Sequence, residues 1–471
     1  MPCGRFKPTR LLCPVRRFAV GLLFAVALHG AIVADYASAI AEVQPRSDGL
    51  RHLNTPATLA AIQSIHANTY FFLVHSQFEW DDMRNEFLPA AAKAGLDVWL
   101  YFVPPTECPE PCSLPFGADY VRIAEGTAKL SVQYPNLKGM AIDDFADNLK
   151  LYTPEYIVRL RNAGRAVNPA FQFLPLLYWR SMLPEFLDRY AAGIDGVIMA
   201  YRDEPTINTT RNGSLRAQLD RAEALTGQRG KSLILMMYCA PLGRIPIPPS
   251  VAYVRDSLAM GLADVASRKL AGVVTYKLSK TGEPAPATEN YAHSGRGRAT
   301  ILESGPGLPA GSFGELTSRV SVTGAAAKLR LWHSGTYAKL PPGYFFLQIL
   351  VDDRTVWDQD LAETASGTWK EETIDFGDAF VKSREATLRV RLTNKRSTGS
   401  ISVILGVDDL AAEGFNLTDP GLEDPAKWTP TQTNPAFLPM VQVFDPDRLR
   451  KMQDAVKELY LRASSTPLVV M

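Results

Sequence analysis

Lys138-Gly139-Met140-Ala141-Ile142-Asp143-Asp144-Phe145 is a short apolar run that stops at two adjacent carboxylates. Read with period 2, the small residues Gly139 and Ala141 share a face with Asp143, and bulky Met140 and Ile142 share the other. That division suits a strand of a (β/α)8 barrel, whose tapering interior takes small residues while its outer face packs on helices. Asp143 then points into the barrel mouth. Asp144 begins the following loop and turns toward the same cleft, where such barrels keep catalytic groups. The bland alternative is an Asp pair that caps the next turn.

The surrounding sequence repeats the pattern. Helical periodicity at 56–66, 80–94, 117–132, 154–166, 183–192, 214–226 and 250–267 alternates with strand-like runs at 69–75, 97–103, the Asp-Asp strand, 171–178, 195–201, 232–239 and 272–277. Short apolar runs between amphipathic stretches are what a parallel sheet with helical crossovers produces. Seven strands are clear, and a weak eighth is expected near 49–54. A doubly wound sheet usually begins with a phosphate-binding glycine turn, which the sequence lacks. The expected fold is therefore an α/β (β/α)8 barrel over 45–285, a linker over 286–312, and a β-sandwich over 313–415. The sandwich strands are expected at 319–323, 328–332, 344–352, 354–357, 368–376, 387–392 and 400–408. A C-terminal segment, 416–471, ends in a closing helix at 447–461.

The chain of 471 residues has length enough for two cores, and its formal charge of +1 with no basic tract in the body argues against nucleic acid as a partner. Arg5, Lys7, Arg10, Arg16 and Arg17 precede an apolar run at 18–34, which is followed by Ala37-Ser38-Ala39 and Ala39-Ile40-Ala41. This reads as a signal peptide, 1–41, in preference to an uncleaved anchor, and predicts a secreted or periplasmic protein with no stable membrane insertion. A cut after Ala41 removes those five basic residues and Asp35, leaving a charge near −3. Cys13 precedes the apolar run, so it is badly placed for a lipid anchor. Only Cys108, Cys112 and Cys239 follow the leader, and the first two are spaced to close a small disulfide loop. The histidines are scattered, so neither a metal nor another cofactor is expected.

The expected strand ends read His75-Ser76-Gln77, Pro104-Pro105-Thr106-Glu107, Asp143-Asp144, Tyr178-Trp179-Arg180, Tyr201-Arg202-Asp203-Glu204, Tyr238-Cys239 and Tyr276-Lys277. Aromatics and acids recur there. Sugars present apolar C–H faces and a ring of hydroxyls, so this mixture suits a carbohydrate substrate. The candidate catalytic acids are Asp143, Asp144, Glu107 and Glu204. The candidate substrate contacts are His75, Tyr101, Tyr178, Trp179, Tyr201, Asp203, Tyr238, Tyr276 and Lys277.

The run 139–145 resembles the paired-aspartate strand end of retaining barrel N-acetylhexosaminidases, especially the family that removes O-linked N-acetylglucosamine. The likeness covers this run alone. It implies that Asp143 orients the substrate's own acetamido group as nucleophile and that Asp144 is the general acid/base. More broadly, Val98-Trp99-Leu100-Tyr101 with Pro104-Pro105, the Asp-Asp strand and Leu174-Pro175-Leu176 resemble bacterial proteins of unassigned activity with a glycosidase-like barrel. That wider likeness names a fold and no substrate.

The expected function is an exported glycoside hydrolase. Two adjacent aspartates in an enclosed mouth do not both ionise freely, so one keeps its proton and serves as acid. Asp144 is expected in that role, with Glu107 or Glu204 as the rival partner for a direct mechanism. The alternative is an exported barrel that binds polysaccharide without catalysis, distinguished by carboxylates splayed into solvent. No Gly-x-Ser-x-Gly elbow, zinc helix motif or phosphate loop supports another hydrolase class. In the sandwich, Trp332, Tyr337, Tyr344, Trp357 and Trp369 are candidates for stacking on glycan, and the pairs Asp352-Asp353 and Asp408-Asp409 for calcium, with core packing and turns as the default readings.

Overall fold

The computed structural model describes residues 31–465, apart from 77, 108–112, 242–244, 306, 325, 378, 381–383 and 400. Eight parallel strands close into a barrel in sequence order: β1 (Ile32–Tyr36), β2 (Thr69–Val74), β3 (Asp97–Phe102), β4 (Leu137–Ile142), β5 (Gln172–Tyr178), β6 (Gly196–Tyr201), β7 (Ser232–Tyr238) and β8 (Gly272–Tyr276). The Asp-Asp strand is the fourth, as expected. In β4 Met140, Ala141 and Ile142 are all buried, and a Cβ at Gly139 would lie 2.0 Å from the Gln172 carbonyl oxygen of β5. Only glycine lets those two strands meet at that point.

The closing strand is not where the sequence placed it. Residues 49–54 make a single bridge, Leu53 to Ala41, and the barrel closes through β1, inside the stretch expected to be removed. The expected cut after Ala39 or Ala41 would delete this strand, so the domain boundary at 45 is corrected to the amino side of Ile32. What holds β1 is a buried ion pair. Asp35 Oδ2 lies 2.6 Å from Lys280 Nζ, with the two side chains 0% and 2% exposed, and Thr275 Oγ1 donates to Asp35 Oδ1 at 2.9 Å. The C-terminal helix, Arg448–Ser465, returns to the same seam, and its Tyr460 hydroxyl donates to the Ala34 carbonyl at 2.7 Å.

The second layer pair is antiparallel. Its strands are β9 (Gly297–Glu303), β10 (Phe313–Val322), β11 (Lys328–Tyr337), β12 (Phe345–Val351), β13 (Arg354–Asp360), β14 (Lys370–Asp375), β15 (Glu385–Asn394), β16 (Val403–Glu413), β17 (Phe415–Leu417), β18 (Thr429–Gln432) and β19 (Phe437–Val443). One sheet runs β13-β12-β15-β10-β17, with β18 also on β10, and the other runs β14-β11-β16-β9-β19. The expected linker is therefore corrected. Residues 297–303 are a wholly buried strand between β16 and β19, and the expected C-terminal segment supplies β17 in part, β18 and β19. Ile247, from the segment after β7, packs on Leu302, Ile404 and Leu438 of the sandwich's outer face. The Pro246 carbonyl accepts from Arg298 Nη2 at 2.9 Å, so barrel and sandwich are joined by side chains as well as by the chain.

Candidate active site at the barrel mouth

Interior positions of successive strands put Tyr36, Tyr101, Asp143, Tyr178, Tyr238 and Tyr276 at one end of the barrel. Tyr36 and Tyr101 stack with centroids 3.9 Å apart, Tyr276 lies 5.1 Å from Tyr36, and Tyr238 meets Tyr276 edge-on at 5.4 Å. The Tyr238 hydroxyl donates to Tyr178 Oη at 3.2 Å. This aromatic ring surrounds the acids. Tyr36 donates to Asp143 Oδ2 and Tyr101 to Oδ1, each at 3.3 Å, and the Asp144 backbone N–H donates to Oδ1 at 2.9 Å.

Asp144 leaves the strand with φ 38° and ψ 41°, the left-handed region, which aspartate tolerates better than most residues. That turn keeps both carboxyls at the mouth instead of sending the second one to the helical side. Asp144 Oδ1 is buried with no hydrogen-bond partner among the described residues. Glu107 ends the short 3-10 turn Pro105–Glu107 that follows β3, and Asn148 Nδ2 ties that turn to the aspartates by donating to Thr106 Oγ1 at 3.0 Å and to the Asp144 carbonyl at 3.3 Å. The sequence does not single out Asn148, because an amide four residues beyond an acidic pair carries no distinctive signal.

Crowding these acids changes their proton affinity. Glu107 is pushed up to about 8 by burial of its carboxyl, by a hydrogen bond with Asp144, and by the charges of Asp144, Asp143 and Asp147. Glu107 is exposed as a residue, while its carboxyl lies under the charge of the neighbouring acids. Asp143 is pushed up to about 7 by burial and the charge of Asp144, against its three hydrogen bonds. The arrangement thus raises the proton affinity of Glu107 and Asp143 together, through burial and the nearby carboxyls.

Other candidates lie elsewhere. Glu204 pairs with Arg180 at 3.1 Å and is not in the acid cluster. The Tyr201 side chain, one position out of phase with the mouth, is buried against Tyr253 on the helical side. Asp203 Oδ1 accepts from the Tyr201 hydroxyl at 2.9 Å and from Ser214 N and Oγ, each at 2.7 Å, so it fastens a turn. Trp179 packs beneath Arg221 of the helix Leu215–Gly227. The hydrogen bonds at His75 are made by its backbone, whose N–H donates to Glu79 Oε2 at 2.5 Å. Lys277 sits at the β8 exit with φ 54° and its Nζ 5.3 Å from the Tyr276 ring centroid. Cys239 is buried and free, while Cys108 and Cys112 lie outside the described residues. Among the described residues no group of three His, Cys, Asp or Glu is placed to hold a metal ion.

In the sandwich, Trp332 stacks on His293 at 4.0 Å, Trp357 lies against the buried His333, and Tyr344 beneath Arg396. The Tyr337 hydroxyl donates to the Thr364 carbonyl. Trp369 faces a cleft of about 340 Å³ at the seam with the barrel, shared with Tyr291 and Arg298. Asp408 accepts from the backbone N–H of His293 and Ser294, Asp409 pairs with His293 at 2.6 Å, and Asp352 accepts from Thr387 N–H at 2.9 Å. These acids fasten loops.

No protein family matches the chain, and no curated protein matches it in sequence. Among solved structures it is similar to a glucosidase from Croceicoccus marinus, at 8% identity and TM-score 0.39, over 80% of this chain and 95% of that one. An alpha-L-arabinofuranosidase from Thermotoga maritima is similar at 9% identity and TM-score 0.38, over 80% and 96%. A calcium-binding mutant of beta-glucuronidase 2 from Bacteroides uniformis is similar at 8% identity and TM-score 0.42, over 80% and 64%. The architecture stated above rests on the strand pairings of this chain, and the reading of the site on its own residues.

Proposed function

We propose that the protein is an exported glycoside hydrolase, and the observation that carries this is the convergence of Asp143, Asp144 and Glu107 inside a ring of tyrosines. A polysaccharide binder without catalysis has no use for three mutually repelling carboxyls, whose repulsion opposes folding. Hydrolysis of a glycosidic bond does need one acid that keeps its proton and another that stays charged. Glu107 is the proton donor in this reading, giving its proton to the leaving oxygen as the anomeric C–O bond breaks. Asp144 supplies negative charge to the developing oxocarbenium ion, and water then adds to the anomeric carbon as its proton passes to the Glu107 carboxylate. Asp143, fixed by Tyr36, Tyr101 and the Asp144 N–H, orients the sugar. Asp144 is the acid expected from sequence; in this reading the role passes to Glu107, whose carboxyl is raised by the neighbouring Asp144 and Asp143.

The fixed position of Asp143 also favours an acetamido-assisted variant of the same activity, in which it aligns the substrate's 2-acetamido group. A panel of nitrophenyl glycosides and polysaccharides, with and without 2-acetamido groups, tests both. Wild type is expected to release product, and Glu107→Gln and Asp144→Asn to lose about 10²- to 10⁴-fold in kcat. Turnover by both variants equal to wild type would remove these residues from the mechanism. Export is part of the proposal, with processing ahead of Ile32, since a later cut removes β1.

A further inference from the structure

Arg202 follows β6 directly, on the interior phase shared with Ala200, so it enters the mouth where its neighbour Tyr201 does not. Its guanidinium carbon lies 4.1 Å from the centroid of the Tyr178 ring, the ring whose hydroxyl joins Tyr238. It makes no hydrogen bond or ion pair among the described residues. Other arginines at least half-buried are paired: Arg161 with Asp195, Arg216 with Asp264 and Arg448 with Glu289. A half-buried guanidinium is always charged, and five N–H donors without acceptors are costly there unless a ligand completes them.

The second cation of the mouth, exposed Lys277 at the β8 exit, likewise has no carboxylate partner among the described residues. The acids stand at the β3 and β4 exits and the free cations at the β6 and β8 exits. The mouth is therefore polarised, and the contact with the Tyr178 ring anchors the Arg202 guanidinium there while its N–H groups stay without an acceptor among the described residues. A planar guanidinium fork matches a carboxylate, which it grips through two parallel hydrogen bonds.

We propose that the substrate is an acidic glycan, whose uronic-acid carboxylate is held by Arg202 while its glycosidic oxygen faces Glu107 and Asp144. This rests on the glycoside hydrolase reading and names the substrate class of the same site. Arg202 is a specificity residue here, and the proton transfer stays with Glu107. Lys277 adds attraction at longer range.

The test uses full-length Glu107→Gln protein for binding and wild type for turnover. The ligands are oligosaccharides from pectate, alginate and a glucuronan, each beside its carboxyl-reduced neutral counterpart. At least one acidic oligomer is expected to bind 10-fold or more tighter than its reduced form, with affinity falling as salt rises. Adding Arg202→Ala should collapse that difference, and Arg202→Lys should restore part of it. The comparison of ligands on the Arg202 protein needs no further variant, so a poorly folding Arg202→Ala chain would not shelter the idea. Equal affinity for both members of every pair, with wild type hydrolysing a neutral one, overturns the acidic-substrate inference alone. Neither binding nor hydrolysis of any of these glycans overturns it together with the glycosidase reading.

Discussion

Replacing Asp35 by asparagine keeps the shape of the β1 side chain and removes its charge, which leaves the Lys280 ammonium buried without a counter-ion. In the wild type all three ammonium N–H groups are used, by Asp35, by Ser38 Oγ and by the Leu278 carbonyl at 3.1 Å. Neither side chain has water to fall back on, with exposures of 0% and 2%. Breaking a pair at that depth costs about 3–5 kcal/mol, because the survivor's charge is stranded in low dielectric. At 1.4 kcal/mol per decade, that is roughly a 10²- to 10³·⁵-fold loss in the folding equilibrium. Adding Lys280→Met removes the stranded charge, and the double variant should return to within about 2 kcal/mol of wild type. Denaturant unfolding followed by near-UV circular dichroism measures all four proteins of the cycle. An Asp35→Asn protein within 1 kcal/mol of wild type would refute the argument, as would a double variant no more stable than the single one.

The same seam predicts that a chain begun at Glu42 fails to form a closed barrel, whereas one begun at Ala31 folds; soluble yield and thermal unfolding of the two separate these outcomes. Asp144→Asn removes the charge that helps raise both Glu107 and Asp143, so both titrations move to lower pH, observable by carboxyl-labelled NMR; an unmoved Glu107 would break the assigned contact. In wild type, activity should fall as pH rises through about 8, where Glu107 gives up its proton, and Glu107→Gln should lack that limb. Glu303, 0% exposed with neither carboxyl oxygen hydrogen-bonded among the described residues, is pushed up to about 8 by burial. A carboxyl raised in the folded state gives stability that is complete below its unfolded value near 4.5 and lost as pH rises through 8. Glu303→Gln should therefore flatten the decline in thermal midpoint between pH 5 and 9, and an unchanged slope would locate the burden elsewhere.

Hydrophobic period determined most of the fold by itself. Runs of five to seven buried residues between amphipathic helices give parallel strands wherever they occur, and seven of the barrel strands and the Asp-Asp exit of the fourth follow from that alone. The eighth was hidden because Ile32–Tyr36 abuts the apolar run of an apparent leader, and a buried strand and a leader's apolar core have the same composition. The partner that distinguishes them, Lys280, is more than two hundred residues away. β9 was taken for linker for a related reason: Gly297 and the Gly/Pro-rich residues after Glu303 mask a short strand whose ladder partners lie beyond residue 400. The acids at strand ends were legible by type, but their grouping was not. Because β6 is buried on both faces, its sequence carries no alternation, and only tertiary packing decides that Tyr201 faces the helices and Arg202 the mouth. Likewise, Glu107 and Glu204 read alike as loop acids beside prolines. Tertiary structure places one against Asp144 and the other against Arg180, and the difference in charge environment follows from those neighbours, which local sequence does not specify.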